Sequence, residues 1–181
     1  VIPELSNDRL LVTTWLKGGH FSEVGNWSVP FRHHLATTLL RLFLRSCFEW
    51  GQIHADPHPG NYRFRLRDHR PVIGLLDFGC VKRIPDALAA GFHQLITEGA
   101  AQTIDEQRAR EIHLAMGFNA ELLQPLDGRL AELSRLLFVP FTKDEPFDIS
   151  RWQVRDSIAE LLGEHRMNYR LAGPPEMIYL L

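Results

Sequence analysis

Two stretches of this sequence decide its fold and its chemistry: HADPHPGN at residues 54–61 and LLDFG at residues 75–79. In the first stretch, two prolines and a glycine bend the chain between Asp56 and Asn61. Proline and glycine are the residues that tight turns require, because proline fixes φ and glycine tolerates left-handed backbone. The sequence therefore predicts a short, sharply bent loop with a carboxylate at one end and an amide at the other.

The segment between the two stretches has the pattern of a β hairpin. Residues 62–66 alternate polar and apolar, residues 67–70 are polar, and residues 71–76 form a short apolar run. Alternation followed by a polar turn and an apolar run is typical of two paired strands. Such a hairpin would return the chain to its starting point and bring Asp77 beside Asn61.

Asp56, Asn61 and Asp77 are the functional groups that phosphoryl transfer requires. Asp56 and Asn61 have the spacing of a kinase catalytic loop, in which the Asp accepts the proton of the attacking hydroxyl and the Asn holds a metal ion. Asp77 stands where an Asp-Phe-Gly motif places a second metal ligand. Carboxylate and amide oxygens suit Mg²⁺. We predict Asp56 as the catalytic residue, Asn61 and Asp77 as metal ligands, and Mg²⁺ and ATP as cofactors. Either motif alone also occurs as an ordinary surface turn, but both in this order favour this chemistry.

Four neighbouring residues are predicted to support the loop. His54 precedes Asp56 by two residues and is expected to pack and hydrogen-bond behind the loop. His58 lies between two prolines. It either touches substrate or phosphate or fixes the turn, and both alternatives remain open. Phe78 and Gly79 complete the second motif.

HADPHPGN followed by LLDFG resembles the signature of the atypical kinase-like UbiB/AarF family, which is associated with ubiquinone (coenzyme Q) biosynthesis. His58 and Pro59 distinguish this pattern from ordinary protein kinases. Residues 3–18 resemble the hinge strand of the family more weakly. Residues 173–176 likewise show a weak resemblance to the helical tail of the family.

The resemblance implies an ATP-dependent atypical kinase or ATPase of the UbiB type that supports ubiquinone biosynthesis. It implies that adenine pairs with the backbone of a hinge at Thr13, Thr14 and Trp15. The partners it implies are a nucleotide and, at a membrane surface, lipid or quinone-pathway proteins. The phosphoryl acceptor and the oligomeric state are left open.

The remaining sequence predicts a mainly helical chain. Residues 10–16 are apolar and β-branched, which favours a strand. Helical spacing of apolar residues predicts helices at residues 31–50, 87–101, 105–116, 127–138 and 150–165, followed by a short helix from Gly173. Asp86 and Ser150 are the predicted N-caps of the second and the fifth of these helices. The predicted fold is α+β, mainly α: a protein-kinase-like C-lobe with a small β hairpin that carries the catalytic loop and the Asp-Phe-Gly motif.

Composition excludes several classes of protein. With 181 residues, 45% hydrophobic and 23% charged, the chain can form one sizeable soluble core. A net charge of −2 provides no global basic field, so nucleic acid is not an expected partner. Cys47 and Cys80 are the only cysteines, which favours a reducing compartment over a disulfide framework. We expect a cytoplasmic protein and leave attachment to a membrane surface open.

We expect a hinge-strand remnant at residues 1–17 and a C-lobe at residues 18–181, without an N-terminal lobe, because no phosphate-binding glycine-rich loop or strand lysine precedes the catalytic loop. Such a chain should turn over little ATP by itself. Two alternatives remain: a small-molecule hydroxyl kinase of the aminoglycoside or choline type, which shares the His-x-Asp loop, and a non-catalytic, nucleotide-sensing module that binds lipid or protein.

Overall fold

The computed structural model describes residues 1–179, and it divides them into two compact units. The first unit comprises residues 1–46 and 52–82, and the second comprises residues 47–51 and the chain from residue 83 onward. The elements follow one another as α1 (Phe21–Val24), α2 (Val29–Phe48), β1 (Gln52–His54), β2 (Tyr62–Arg67), β3 (Arg70–Leu75), β4 (Val81–Arg83), α3 (Asp86–Ala100), α4 (Glu106–Ala115), α5 (Ala120–Leu123), α6 (Leu130–Phe138), α7 (Val154–Leu162) and α8 (Arg166–Ala172). The predicted α+β, mainly α class is confirmed.

The first unit is built on the predicted hairpin. β2 and β3 pair antiparallel, with Tyr62 opposite Leu75 and Arg67 opposite Arg70. The two connecting residues, Asp68 and His69, both have left-handed backbone, with φ of 51° and 58°. Positive φ at both positions gives the turn a twist that matches that of paired strands, which is why two-residue hairpins use it. The predicted strands and tight turn are therefore confirmed.

Helix α2 covers the apolar face of the hairpin. Leu35 of α2 is only 2% exposed and packs with Val24 and Phe64, while Leu39 and Ile73 pack against the same cluster. The helix begins two residues earlier than the predicted range and ends at Phe48. Proline is tolerated in a first helical turn because its missing N–H has no partner there, so Pro30 does not delay the start.

The predicted strand at residues 10–16 is wrong. The segment has no strand structure, and Trp15 is 87% exposed. Val12 is instead tied to the first residues of the chain: its carbonyl accepts from Ile2 N–H at 2.8 Å, and its N–H donates to Ser6 Oγ at 3.0 Å. β propensity favours a strand only where a neighbouring strand supplies hydrogen bonds, and no strand of residues 1–179 pairs with this segment.

The second unit is helical, with the core between α3, α4 and α6. Leu88 and Leu95 of α3 are buried, as are Ile112 of α4 and Leu133 of α6. Helix α3 starts with Asp86 as its first residue after Pro85, so the prediction that Asp86 is the N-cap is wrong by one position. An acidic residue in the first turn still favours the helix through the helix dipole.

Other predicted helix ends also differ. Helix α4 starts as predicted, with the Asp105 side chain accepting from Arg108 N–H at 2.7 Å. The helix predicted to run from Ser150 is broken up: Ser150 belongs to a 3-10 turn capped by Asp148, α7 starts only at residue 154, and it ends at Gly163, where φ is +52°. The last predicted helix is a 3-10 turn at residues 175–179. None of the helices in the described part of the chain is long and apolar enough to cross a bilayer.

Candidate active site

The hairpin joins the two motif stretches directly. Asn61 lies immediately before β2, and Leu76 lies immediately after β3. Leu76 N–H donates to Asn61 O at 2.8 Å, which continues the ladder by one more pair. Asp77 therefore follows the residue that pairs with Asn61. The structure brings these two predicted metal ligands to the same end of the hairpin.

Asp56 and Asn61 contact each other across the bent loop. Asn61 Nδ2 donates to the Asp56 backbone oxygen at 3.1 Å and to Asp56 Oδ2 at 2.9 Å. These bonds fix the orientation of the amide, because a carboxylate oxygen accepts only from the nitrogen end. Asn61 Oδ1 is thereby directed away from Asp56 and is left to bind other groups.

Asp77 sits in strained backbone at the second motif. Its φ of 55° and ψ of 78° are left-handed, which an aspartate tolerates poorly compared with glycine. Its Oδ1 accepts from Gly79 N–H at 3.1 Å, which leaves Oδ2 without a partner in the turn. Asp77 and Phe78 are both exposed. Strained backbone at a polar residue next to a motif is typical of functional sites.

His54 lies between the two stretches and touches both. Its Nε2–H donates to Leu76 O at 3.2 Å, and its Nδ1 accepts from Asp56 N–H at a long 3.4 Å. The ring packs near Tyr62 and Phe78, with centroids 6.2 and 6.0 Å apart. These are the contacts expected of a residue that positions the loop, although its effect on activity stays a prediction.

His58 makes a local contact that shapes the turn. Its Nδ1 accepts from Gly60 N–H at 3.0 Å, at the start of the 3-10 turn that ends at Asn61. A Cβ on Gly60 would lie 2.9 Å from the same nitrogen, so a larger residue there would displace the imidazole. Of the two alternatives for His58, this geometry supports the turn-fixing one and leaves Nε2 for any ligand.

Comparison with known proteins identifies the family of this chain. A sequence model of the ABC1 atypical kinase-like domain matches residues 1–113, which is more than half of the chain and includes both motif stretches. The chain belongs to the ABC1 atypical kinase-like family. The predicted resemblance is thereby confirmed.

Individual relatives of this ABC1 chain carry names from the same family. The chain is 24% identical over its whole length to the atypical kinase COQ8B, mitochondrial, of Rattus norvegicus, of which it covers 34%. It is 26% identical over its whole length to the atypical kinase coq-8, mitochondrial, of Caenorhabditis elegans, covering 24% of that protein. It is 27% identical over 65% of its length to AarF domain-containing kinase 1 of Drosophila melanogaster, covering 23% of it. The chain thus spans about a third or less of these relatives.

The predicted hinge residues make no described contact with the two motif stretches. Thr13, Thr14 and Trp15 are exposed in irregular structure. The segment reaches the hairpin only after them, where the Leu16 side chain covers Gly74 of β3 and Gly19 pairs with Phe64 of β2. A nucleotide-binding role for the hinge residues stays a prediction.

The donor set of the ABC1 chain fits a hard cation. Among residues 1–179, no group of three or more His, Cys, Asp or Glu side chains is arranged to hold a metal. Asn61 Oδ1 and Asp77 Oδ2 are hard oxygen donors that the local hydrogen bonds leave available. Mg²⁺ is bound in proteins by one or two such groups together with phosphate and water oxygens. The residues therefore fit magnesium.

Tyr62 belongs to the site but was not predicted from the sequence. It stacks near Phe64 and lies close to His54. Burial, together with the negative charge of Asp56, raises the pKa of Tyr62. The available signal was its position directly after Asn61 on the apolar face of a strand, which identifies a packed aromatic residue and no more.

Proposed function

We propose that this chain carries the metal- and nucleotide-binding part of an ATP-dependent atypical kinase or ATPase of the UbiB type. The observation that supports the proposal best is the amide of Asn61. It is held by two hydrogen bonds to Asp56, while the register of the hairpin places Asp77 beside the same residue. Three groups of the required kinds are thus fixed at one end of one hairpin.

We propose one role for each group. Asp56 Oδ2 accepts from the Asn61 amide, so the carboxylate is held in place and its Oδ1 is free to accept the proton of an attacking hydroxyl or water. Asn61 Oδ1 and Asp77 Oδ2 would hold Mg²⁺, which, when bound, neutralises the charge of the phosphates. His54 restrains the backbone on both sides by binding Leu76 O and Asp56 N–H.

The proposed place of the reaction is ubiquinone biosynthesis. Relatives of this chain are named mitochondrial atypical kinases, and the HADPHPGN signature is that of the UbiB group. Partners consistent with this proposal are a nucleotide and lipid or quinone-pathway proteins at a membrane surface. Phosphate transfer to an aminoglycoside or to choline in a metabolite screen would instead favour a small-molecule kinase.

Isothermal titration calorimetry of magnesium–ATP tests the proposal. Asp77→Asn should weaken binding by about tenfold, because one charge-assisted interaction is worth about 1.4 kcal/mol or more and this corresponds to a factor of ten. Asp68→Asn is the matched control. It removes the same charge at the opposite end of the hairpin, and its positive φ suits asparagine.

Two outcomes would count against the proposed site. If Asp77→Asn binds magnesium–ATP as tightly as the unaltered chain, Asp77 is not a metal ligand. If Asp68→Asn weakens binding equally, the effect is one of net charge and not of position. Circular dichroism of both variants verifies that each is folded.

A further inference from the structure

One face of the hairpin carries arginines, and three of them, Arg65, Arg67 and Arg70, have no part in the proposed active site. Along β2 the apolar residues point to α2, where Phe64 packs with Leu35. The residues between them, Arg63, Arg65 and Arg67, point to the opposite face, because side chains alternate along a strand. Arg70 of β3 is paired with Arg67 and shares its face. Four arginines therefore lie on one side of a two-stranded sheet.

The positive charge of this face is nearly uncompensated. Arg67 forms an ion pair at 3.7 Å with Asp68 in the turn, and both side chains are highly exposed. Exposed pairs of this kind contribute little. The first unit contains ten Lys and Arg and six Asp and Glu residues, a net charge of +4, although the whole chain has −2. A merely solvated face would carry both signs. The pattern indicates an anionic partner.

Arg65 supplies an independent observation. Its Nε is buried and has no hydrogen-bond partner among the described residues. Arg63, two residue pairs further along the ladder, donates from its guanidinium to the backbone oxygens of Gly60 and Tyr62. A buried donor without an acceptor is unfavourable and uncommon in folded proteins. Nε itself is enclosed, so a partner's oxygen reaches this half-buried side chain only at its exposed atoms.

The outer edge of β3 is open beside these arginines. The bond from Leu76 N–H to Asn61 O sets the alternation of the ladder, so the backbone groups of Ile73 and Leu75 point away from β2. No strand of residues 1–179 pairs with that edge. Pro71 lacks an N–H and limits the edge on the turn side, while Leu16 covers the face at Gly74. The open part of the arginine face is thus Arg65, Arg67, Arg70 and Val72.

We propose that this surface docks an extended acidic segment of a protein partner, which adds to the edge of β3 and places carboxylates against Arg65, Arg67 and Arg70. Alternate side chains of an extended segment repeat every ~7 Å, which is also the repeat of the arginines along β2. The planar guanidinium matches a carboxylate with two parallel hydrogen bonds, which favours Arg over Lys at such a surface. Backbone pairing along the edge gives affinity, and the arginines select acidic side chains.

Fluorescence anisotropy with a labelled peptide of alternating Glu and Thr tests this proposal on the 181-residue chain. Binding should weaken with salt, because exposed charges are screened beyond about 8 Å at about 0.15 M ionic strength. Replacing the three open arginines with Gln should weaken binding at least about tenfold, since each exposed pair contributes up to about 1 kcal/mol. Arg67→Gln alone should weaken it about threefold, and this side chain is 71% exposed, so the variant will fold.

The control variant removes the same charge from exposed arginines elsewhere in the first unit: Arg9, Arg32 and Arg41. It should bind the acidic peptide within about twofold of the unaltered chain. Equal losses in both triple variants would overturn the proposal in favour of non-specific attraction. The same peptide methylated at alternate backbone nitrogens keeps its charge but cannot pair with β3, and unchanged binding of it would exclude strand addition. Binding to anionic vesicles with no binding to the peptide would also overturn the proposal and identify lipid as the partner.

Discussion

Replacing Glu106 with alanine should destabilise the second unit by about 3 kcal/mol. Glu106 is the first residue of α4, but its carboxylate serves α6. Oε1 accepts from Gly128 N–H at 2.8 Å and from Leu130 N–H at 3.2 Å, and Oε2 accepts from Ala131 N–H at 2.9 Å. The first N–H groups of a helix have no partner within the helix, so this side chain is the cap of α6.

The magnitude follows from the groups that would lose their acceptor. Leu130 and Ala131 are buried, so water does not replace the carboxylate easily. A hydrogen bond to a charged group contributes about 1.5–3 kcal/mol, and the loss of a cap costs about 0.5–2 kcal/mol. The three bonds share one carboxylate and are not additive. We therefore expect about 3 kcal/mol for Glu106→Ala and about half of that for Glu106→Gln, which keeps one acceptor oxygen.

Urea unfolding followed by far-ultraviolet circular dichroism measures this change. With an m value of about 2 kcal/mol/M, a loss of 3 kcal/mol lowers the midpoint by about 1.5 M. Glu121→Ala is the control, since Glu121 is an exposed acidic residue in the first turn of α5. A shift below about 0.5 kcal/mol for Glu106→Ala, or an equal shift for both variants, would refute the capping argument.

Three further predictions concern other groups. Asp56→Asn should lower magnesium-dependent phosphate release about a hundredfold while nucleotide affinity changes little, because Asp56 acts on the nucleophile. We expect slow release from the unaltered chain, so the assay is a single-turnover one, and undiminished release in the variant would show that Asp56 is not the base. Burial lowers the pKa of His113, so this side chain stays neutral in the folded chain, whereas it binds a proton below about pH 6.5 in the unfolded chain. The free energy of unfolding should therefore fall as pH decreases below that value, by up to about 1.4 kcal/mol per pH unit. An unchanged pH dependence of stability in His113→Asn would contradict this. Burial raises the pKa of Cys47 to about 11, so its thiol should react with iodoacetamide much more slowly than that of the half-buried Cys80. If Cys47→Ser, and not Cys80→Ser, removes the fast reaction, this order of reactivity is wrong.

The elements that the sequence predicted well are those defined by local signals. Helix α2 and the hairpin of β2 and β3 follow apolar periodicity and a polar turn, and α4 follows its own N-cap, Asp105. In these cases the residues that form an element also set its limits. The same holds for the loop at residues 54–61, where two prolines and a glycine lie between the two residues that meet.

The errors arose where a distant group decides the outcome. The predicted start of α6 was Asp127, a residue that commonly caps helices, but the helix starts at Leu130 because Glu106, more than twenty residues earlier, supplies the acceptor. The segment at residues 10–16 has the composition of a strand but no strand among residues 1–179 to pair with. A local sequence pattern reveals neither the hydrogen-bond acceptor of a helix start nor the pairing partner of a strand. The left-handed backbone of Asp77 and the contact of His54 with Leu76 are likewise results of folding.

The register of one hairpin connects the two surfaces inferred for the first unit. With Tyr62 opposite Leu75, Phe64 faces α2, the arginines face away, and Leu76 pairs with Asn61. A slip of one residue would exchange the faces of β2, burying arginines against Leu35 and exposing Phe64, at a cost far above that of any single contact. The apolar packing that excludes this slip also fixes where Asp77 lies relative to Asn61. The alternating arginines of β2 therefore have two effects. They form a charged surface, and they make the shifted register, which would separate the two predicted metal ligands, unfavourable.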